Sequence, residues 1–149
     1  MVSKRKVRTK EMLLPLPAAA VRDISLENHL ALVTMRTGHG TADTMIALLR
    51  ILYMTFYVLG KDRTDADLAL FLEVEAALDE SIQVAGAGRD WRLPAERLPA
   101  IGLVLLRCDE TVANVPKYRY VEAWEKLNAF VRSARKSPLP GSRLKEVWA

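Results

Sequence analysis

The chain has 149 residues, half of which are hydrophobic, and a formal net charge of +4. This length is typical of one domain that buries a real core, and this hydrophobic content argues against a mainly disordered chain. The single cysteine, Cys108, excludes an intrachain disulfide and a two-cysteine metal site.

Charge is unevenly distributed along the chain. Residues 1–13 contain five basic residues and one glutamate, whereas residues 14–114 contain 9 basic and 14 acidic residues. Residues 115–149 contain 8 basic and 3 acidic residues. Basic ends favour contact with a polyanion, and the acidic middle is an equally suitable partner for them within the molecule.

Residues 1–22 are predicted to form an arm. The first ten residues are too polar to bury, and Pro15 and Pro17 favour an extended path for the stretch that follows. A basic start, a short apolar run and three alanines also match a secretory signal in outline. Because Glu11 and the two prolines interrupt that pattern, we expect a cytoplasmic protein rather than an exported one.

The first helix is predicted to begin after Ser25, which is a good N-cap residue, and to end at the Gly-His-Gly sequence of residues 38–40. Leu26, Leu30 and Val33 follow one another at steps of four and three. This spacing predicts that they face the core.

Residues 45–59 form the most apolar stretch of the chain, interrupted only by Arg50 and Thr55. Apolar residues on nearly every side indicate a buried helix or a membrane span. A span needs about 20 apolar residues, so a central core helix is favoured. Thr41 is its predicted N-cap and Gly60 its predicted end.

The third helix is predicted over residues 64–84. Thr64 followed by Asp67 resembles a capping box, and Gly86 and Gly88 end the pattern. Its predicted inner row is Phe71, Val74, Leu78 and Ile82.

Two further helices follow, each opened by proline. Pro94 and Pro99 are alternative starts for the fourth helix, and the fifth is predicted over residues 117–136, after Pro116. The predicted inner row of the fourth helix is Leu98, Ile101, Val104, Leu105, Cys108 and Val112. That of the fifth is Tyr120, Trp124, Leu127 and Val131.

Together these elements predict an all-α fold. We expect a helical bundle of four long helices plus a shorter first helix, with an extended basic N-terminal arm. The expected domain organisation is an arm (1–22), a helical bundle domain (23–136) and a C-terminal tail (137–149), whose Val147 and Trp148 are candidates for docking on the body.

Catalytic and metal-binding motifs are missing from the sequence. The two histidines, His29 and His39, stand ten residues apart and belong to no known ligand or triad pattern. We therefore expect no enzymatic activity, no catalytic residues, no cofactor and no metal. Cys108 on the apolar row is expected to be a small buried side chain rather than a nucleophile.

Clustered cations make nucleic acid the first candidate partner, through phosphate contacts independent of sequence. An ordinary solvated face and favourable charges at a helix C-terminus are the simpler alternative. The candidate residues for binding DNA or RNA are Lys4, Arg5, Lys6, Arg8, Lys10, Arg132, Arg135 and Lys136.

Residues 25–30, the Gly-His-Gly turn and the basic arm together resemble a group of short, uncharacterised bacterial proteins. Some of these are labelled Fis family transcriptional regulators. The resemblance covers mainly residues 1–60 and implies a DNA-associated regulatory role.

The leading hypothesis is a small, non-catalytic bacterial protein that acts as a nucleic-acid-associated accessory or transcriptional regulatory protein through its arm. The alternative is a protein-interaction or adaptor domain that binds a protein partner or forms a homodimer without binding nucleic acid. Its contact surface would comprise Trp91, Trp148 and the strip of residues 14–21.

Overall fold

A computed structural model describes residues 8–86, 88 and 90–144. Over this range the chain forms six α-helices and no strand, apart from one isolated bridge between Pro15 and Pro116. The predicted all-α class is therefore confirmed. The helices are α1 (Lys10–Leu13), α2 (Ala18–Arg36), α3 (Ala42–Leu59), α4 (Asp65–Gly86), α5 (Leu98–Asn114) and α6 (Lys117–Arg132).

The central helix of the fold is α3, which contacts α2, α4, α5 and α6. Thr41 caps it as predicted, in a reciprocal pair of hydrogen bonds with Thr44. Gly60 follows its last residue with a positive φ of 51°. The segment Ala42–Asp62 is long and apolar enough to cross a membrane, but 56% of its most apolar 18-residue window is buried within the protein, which is consistent with the core helix of a soluble protein.

The start of the first long helix was predicted wrongly. α2 begins at Ala18, directly after Pro17, and Ser25 lies inside it. Residues 18–20 are alanines, and alanine has the highest helix propensity of all residues, so the helix extends back to Pro17. At 19 residues, α2 is longer than α3, so the fold has five long helices and α2 crosses the predicted boundary between arm and bundle domain.

The core-facing side of α2 was also predicted wrongly. Leu26 and Leu30 are 60% and 52% exposed, and Val33 is exposed as well. Met35 is buried instead, and the inner face is completed by the half-buried Val21, Ile24, Ala31 and Leu32. Both faces of the helix carry apolar residues at helical spacing, so periodicity alone could not distinguish them.

Helix α4 follows the prediction closely. Backbone N–H groups of Thr64 and Asp67 each donate to the other residue's side chain, at 3.0 Å in both cases, which confirms the capping box. Asp67 also accepts hydrogen bonds from the guanidinium of Arg107. Of its inner row, Phe71, Val74 and Leu78 are buried and Ile82 is half-buried.

In α5, Pro99 rather than Pro94 occupies the first turn, and the predicted inner row is buried apart from the half-buried Leu98. α6 ends at Arg132, four residues before its predicted end. Ser133 terminates it, since both its backbone N–H and its hydroxyl donate to the Phe130 carbonyl. Val131 is 69% exposed, so its predicted place in the core was wrong.

The described part of the arm packs against the body. The backbone N–H of Lys117 donates to the Leu14 carbonyl at 2.8 Å, and the Lys117 ammonium pairs with Glu11 at 2.6 Å. Helix α1 thereby lies against the first turns of α6. The residues before Arg8, and the predicted docking residues Val147 and Trp148, lie outside the described range.

Candidate interaction surfaces

Arg8 is held by the protein itself. Its guanidinium stacks over the Tyr118 ring, 3.8 Å from the ring centroid, and pairs with Glu122 at 2.9 Å. Glu122 therefore offsets the charge that Arg8 could offer to a phosphate. Lys10 is exposed on α1, while Lys4, Arg5 and Lys6 lie outside the described residues.

The other candidate cations lie at the far end of α6. Arg132 and Arg135 are exposed, and the Arg135 guanidinium donates to the Ser137 carbonyl at 3.4 Å. Lys136 is exposed too and makes an interaction within the protein. Because a helix rises about 1.5 Å per residue, about 20 Å separates this end from the Arg8 site on Tyr118.

Carboxylates interrupt the surface between these two basic ends. Glu122 and Glu125 are spaced to lie on the same side of α6 as Tyr118 and Arg132. The structure therefore does not join the predicted nucleic-acid-binding residues into one continuous basic patch. The described residues contain 17 basic and 17 acidic side chains, so the +4 excess belongs to the remainder of the chain.

Arg119, another basic residue of α6, has a structural role. The Arg119 guanidinium donates to the carbonyls of Val58 and Leu59, at 2.6 and 2.9 Å, and to Asp62 at 2.9 Å. It thus satisfies backbone acceptors that the end of α3 leaves open. No local signal in the sequence links residue 119 to the end of α3.

Sequence analysis missed an exposed apolar feature of the described residues. Leu26, Leu30 and Val33 on the outer side of α2 are exposed, as are Leu103 and Leu106 on α5, at 55% and 58%. The two helices are neighbours, joined by a 2.8 Å contact between His29 Nε2 and the Asp109 carboxylate. We refer to these five residues as the α2–α5 apolar surface.

The apolar surface expected from the sequence is only partly covered. Trp91, Leu16 and Val21 pack against the hydrophobic core, and residues 18–21 belong to α2. Leu14, Pro15, Pro17, Ala18 and Ala19 are exposed, and Trp148 lies outside the described residues.

Cys108 and Asp109 are adjacent titratable residues on α5. Burial raises the pKa of the Cys108 thiol, in keeping with a small core side chain. One oxygen of the Asp109 carboxylate is buried without a hydrogen-bond partner, while the other contacts His29. Among the described residues, no three metal-ligating side chains lie close enough to hold an ion.

Comparison of the chain with protein-family models, with curated proteins and with solved structures gave no match.

Proposed function

We propose that the protein is a non-catalytic helical interaction protein of the cytoplasm, which binds a second copy of itself through the α2–α5 apolar surface. The observation that supports this is the exposure of Leu26, Leu30 and Val33 along one row of a helix whose other side is packed into the core. Contiguous exposed apolar surface on a soluble protein marks an association site.

The spacing of this row favours another helix as the contacting element. Leu26, Leu30, Val33 and Thr37 follow at steps of four, three and four, which is the seam pattern of paired helices. A matching seam must be presented by the partner, and α2 of a second copy presents one. Self-association is therefore the arrangement for which the chain supplies both halves.

Replacing Leu30 by glutamate should convert the dimer to a monomer. In a paired seam the two introduced carboxylates would lie close together and be removed from water, which is strongly unfavourable. Sedimentation equilibrium over a concentration series measures the change. Leu30 is half exposed in the single chain, so the melting temperature of the isolated subunit should change little.

Val131→Glu is the matched control, because Val131 is more exposed than Leu30 and lies on α6. It should leave the dimer intact. A wild-type chain that sediments as a monomer throughout, or a Leu30→Glu variant that still dimerises, would contradict the proposal.

Association with DNA or RNA is the second candidate function, in line with the regulatory role implied by the resemblance to Fis-labelled proteins. It is supported by the exposure of Arg132 and Arg135 and by Lys4, Arg5 and Lys6, which belong to the part of the chain that carries the excess positive charge. Arg8 contributes less to this candidate, since Glu122 already neutralises it.

Deleting residues 1–7 tests this candidate without disturbing the docked α1. Three lysine and arginine contacts to duplex phosphates correspond to a log–log salt slope of about −2.7, which the deletion should remove. Binding to a random duplex is measured across a salt series. The double variant Arg132→Gln/Arg135→Gln reports the contribution of the last residue of α6 and the segment that follows it. If the intact chain fails to bind at low salt, the candidate is wrong.

A further inference from the structure

A cavity of about 150 Å³ opens between α2, α3, α5 and α6. Its apolar wall includes Ile24, Ile51, Met54, Val112 and Trp124. An engineered apolar protein cavity of about this volume accommodates benzene, so the space suits a branched aliphatic or phenyl group.

Two side chains of opposite charge line the cavity. Glu27 extends from α2 and Arg50 from α3, and both side chains are exposed. Arg50 is the one charged residue within the apolar stretch 45–59. Neither Glu27 nor Arg50 forms an ion pair or hydrogen bond with the described residues, and they do not pair with each other. Both charges therefore remain available to a ligand.

Neutral polar groups complete the lining. The Asn28 amide donates to Cys108 Sγ at 3.8 Å, and the Tyr120 hydroxyl is half-buried beside them. Burial raises the pKa of Tyr120, so its hydroxyl stays protonated near neutral pH. These groups offer hydrogen bonds without adding a net charge, which leaves recognition of charge to Glu27 and Arg50.

We propose that this cavity binds a small zwitterion with an apolar side group, which is the chemistry of an apolar α-amino acid. The apolar group occupies the space against Met54 and Trp124. The ammonium group faces the Glu27 carboxylate, and the carboxylate faces the Arg50 guanidinium. A ligand that lacks one charge leaves one of these two side chains without a partner, so binding distinguishes zwitterions from simple acids and amines.

Isothermal titration calorimetry with three probes tests the assignment: L-phenylalanine, 3-phenylpropionate and 2-phenylethylamine. We expect L-phenylalanine to bind with a Kd of about 1 mM or tighter, and each of the other two about tenfold more weakly. Arg50→Gln should weaken the binding of L-phenylalanine about tenfold and leave the affinity for 2-phenylethylamine unchanged. Glu27→Gln should weaken the binding of L-phenylalanine to a similar extent and leave the affinity for 3-phenylpropionate unchanged.

Arg36→Gln and Asp23→Asn are matched controls, since each removes an exposed charge from α2 at a position that does not line the cavity. They should bind all three probes like the wild type. Failure of L-phenylalanine and of L-leucine to bind at millimolar concentration overturns the proposal. Equal affinity of the wild type for L-phenylalanine and 3-phenylpropionate would also overturn it. An equal loss of affinity for all three probes in Arg50→Gln and Glu27→Gln would do the same. The Leu30→Glu monomer should retain binding, which separates this site from self-association.

Discussion

Replacing Leu52 by aspartate should leave no soluble, cooperatively folding protein. Leu52 is fully buried in α3, the helix that every other long helix contacts. An isolated carboxylate buried there costs several kcal/mol, whether it ionises or shifts its pKa to remain neutral. A domain of this size is stable by only about 5–15 kcal/mol, and the loss of leucine packing adds to the penalty.

Ile46→Asp on the same helix is the matched control, because Ile46 is 51% exposed. It should remain soluble and melt cooperatively, close to the wild type. Soluble expression followed by thermal unfolding, monitored by circular dichroism, compares the two variants. If Leu52→Asp melts like Ile46→Asp, then α3 is not the centre of the core.

Removing the carboxylate of Glu75 should give the second-largest loss of stability and release the C-terminal segment. Glu75 is 1% exposed on α4 and accepts a hydrogen bond from the Tyr53 hydroxyl at 2.8 Å. It also accepts hydrogen bonds from the hydroxyls of Ser137 and Ser142. Burial, together with the neighbouring Glu75, raises the pKa of Tyr53, so the phenol stays protonated and remains a donor.

The two serines organise the segment that follows α6. Ser137 Oγ accepts from the Leu139 backbone N–H at 3.0 Å, and Ser142 Oγ accepts from that of Leu144 at 3.1 Å. Leu139 between them is buried in the core. Glu75 therefore anchors residues 137–144 to α4, through contacts that span more than 60 residues of sequence.

In Glu75→Ala, three hydroxyls lose their common acceptor. The Tyr53 hydroxyl is buried and, left unsatisfied, costs about 1–3 kcal/mol, whereas Ser137 and Ser142 are half-buried and cost less, so we expect the free energy of unfolding to fall by about 2 kcal/mol or more. Urea unfolding measures the loss, and limited proteolysis should show faster cleavage near residues 137–144. Glu73→Ala, at an exposed position of the same helix, should change neither quantity. An equally stable and protease-resistant Glu75→Ala variant would contradict the anchoring role.

Features determined by interactions within a few residues could be predicted from the sequence. The Thr41 cap, the end of α3 at Gly60 and the Thr64–Asp67 capping box all depend on atoms no more than four positions apart. The all-α class and the burial of α3 follow in the same way, because a helix that is apolar on nearly every side must be enclosed by others.

Tertiary structure decided which of two apolar faces of α2 is buried and which cations are engaged. Both faces have helical spacing, and only the positions of α3 and α5 select the one that carries Met35. The partners of Arg8 and Arg119 lie 114 and about 60 residues away in sequence. The cavity beside Arg50 likewise requires four helices to converge. Side-chain pairings over such separations depend on helix packing, which no local pattern of residues specifies.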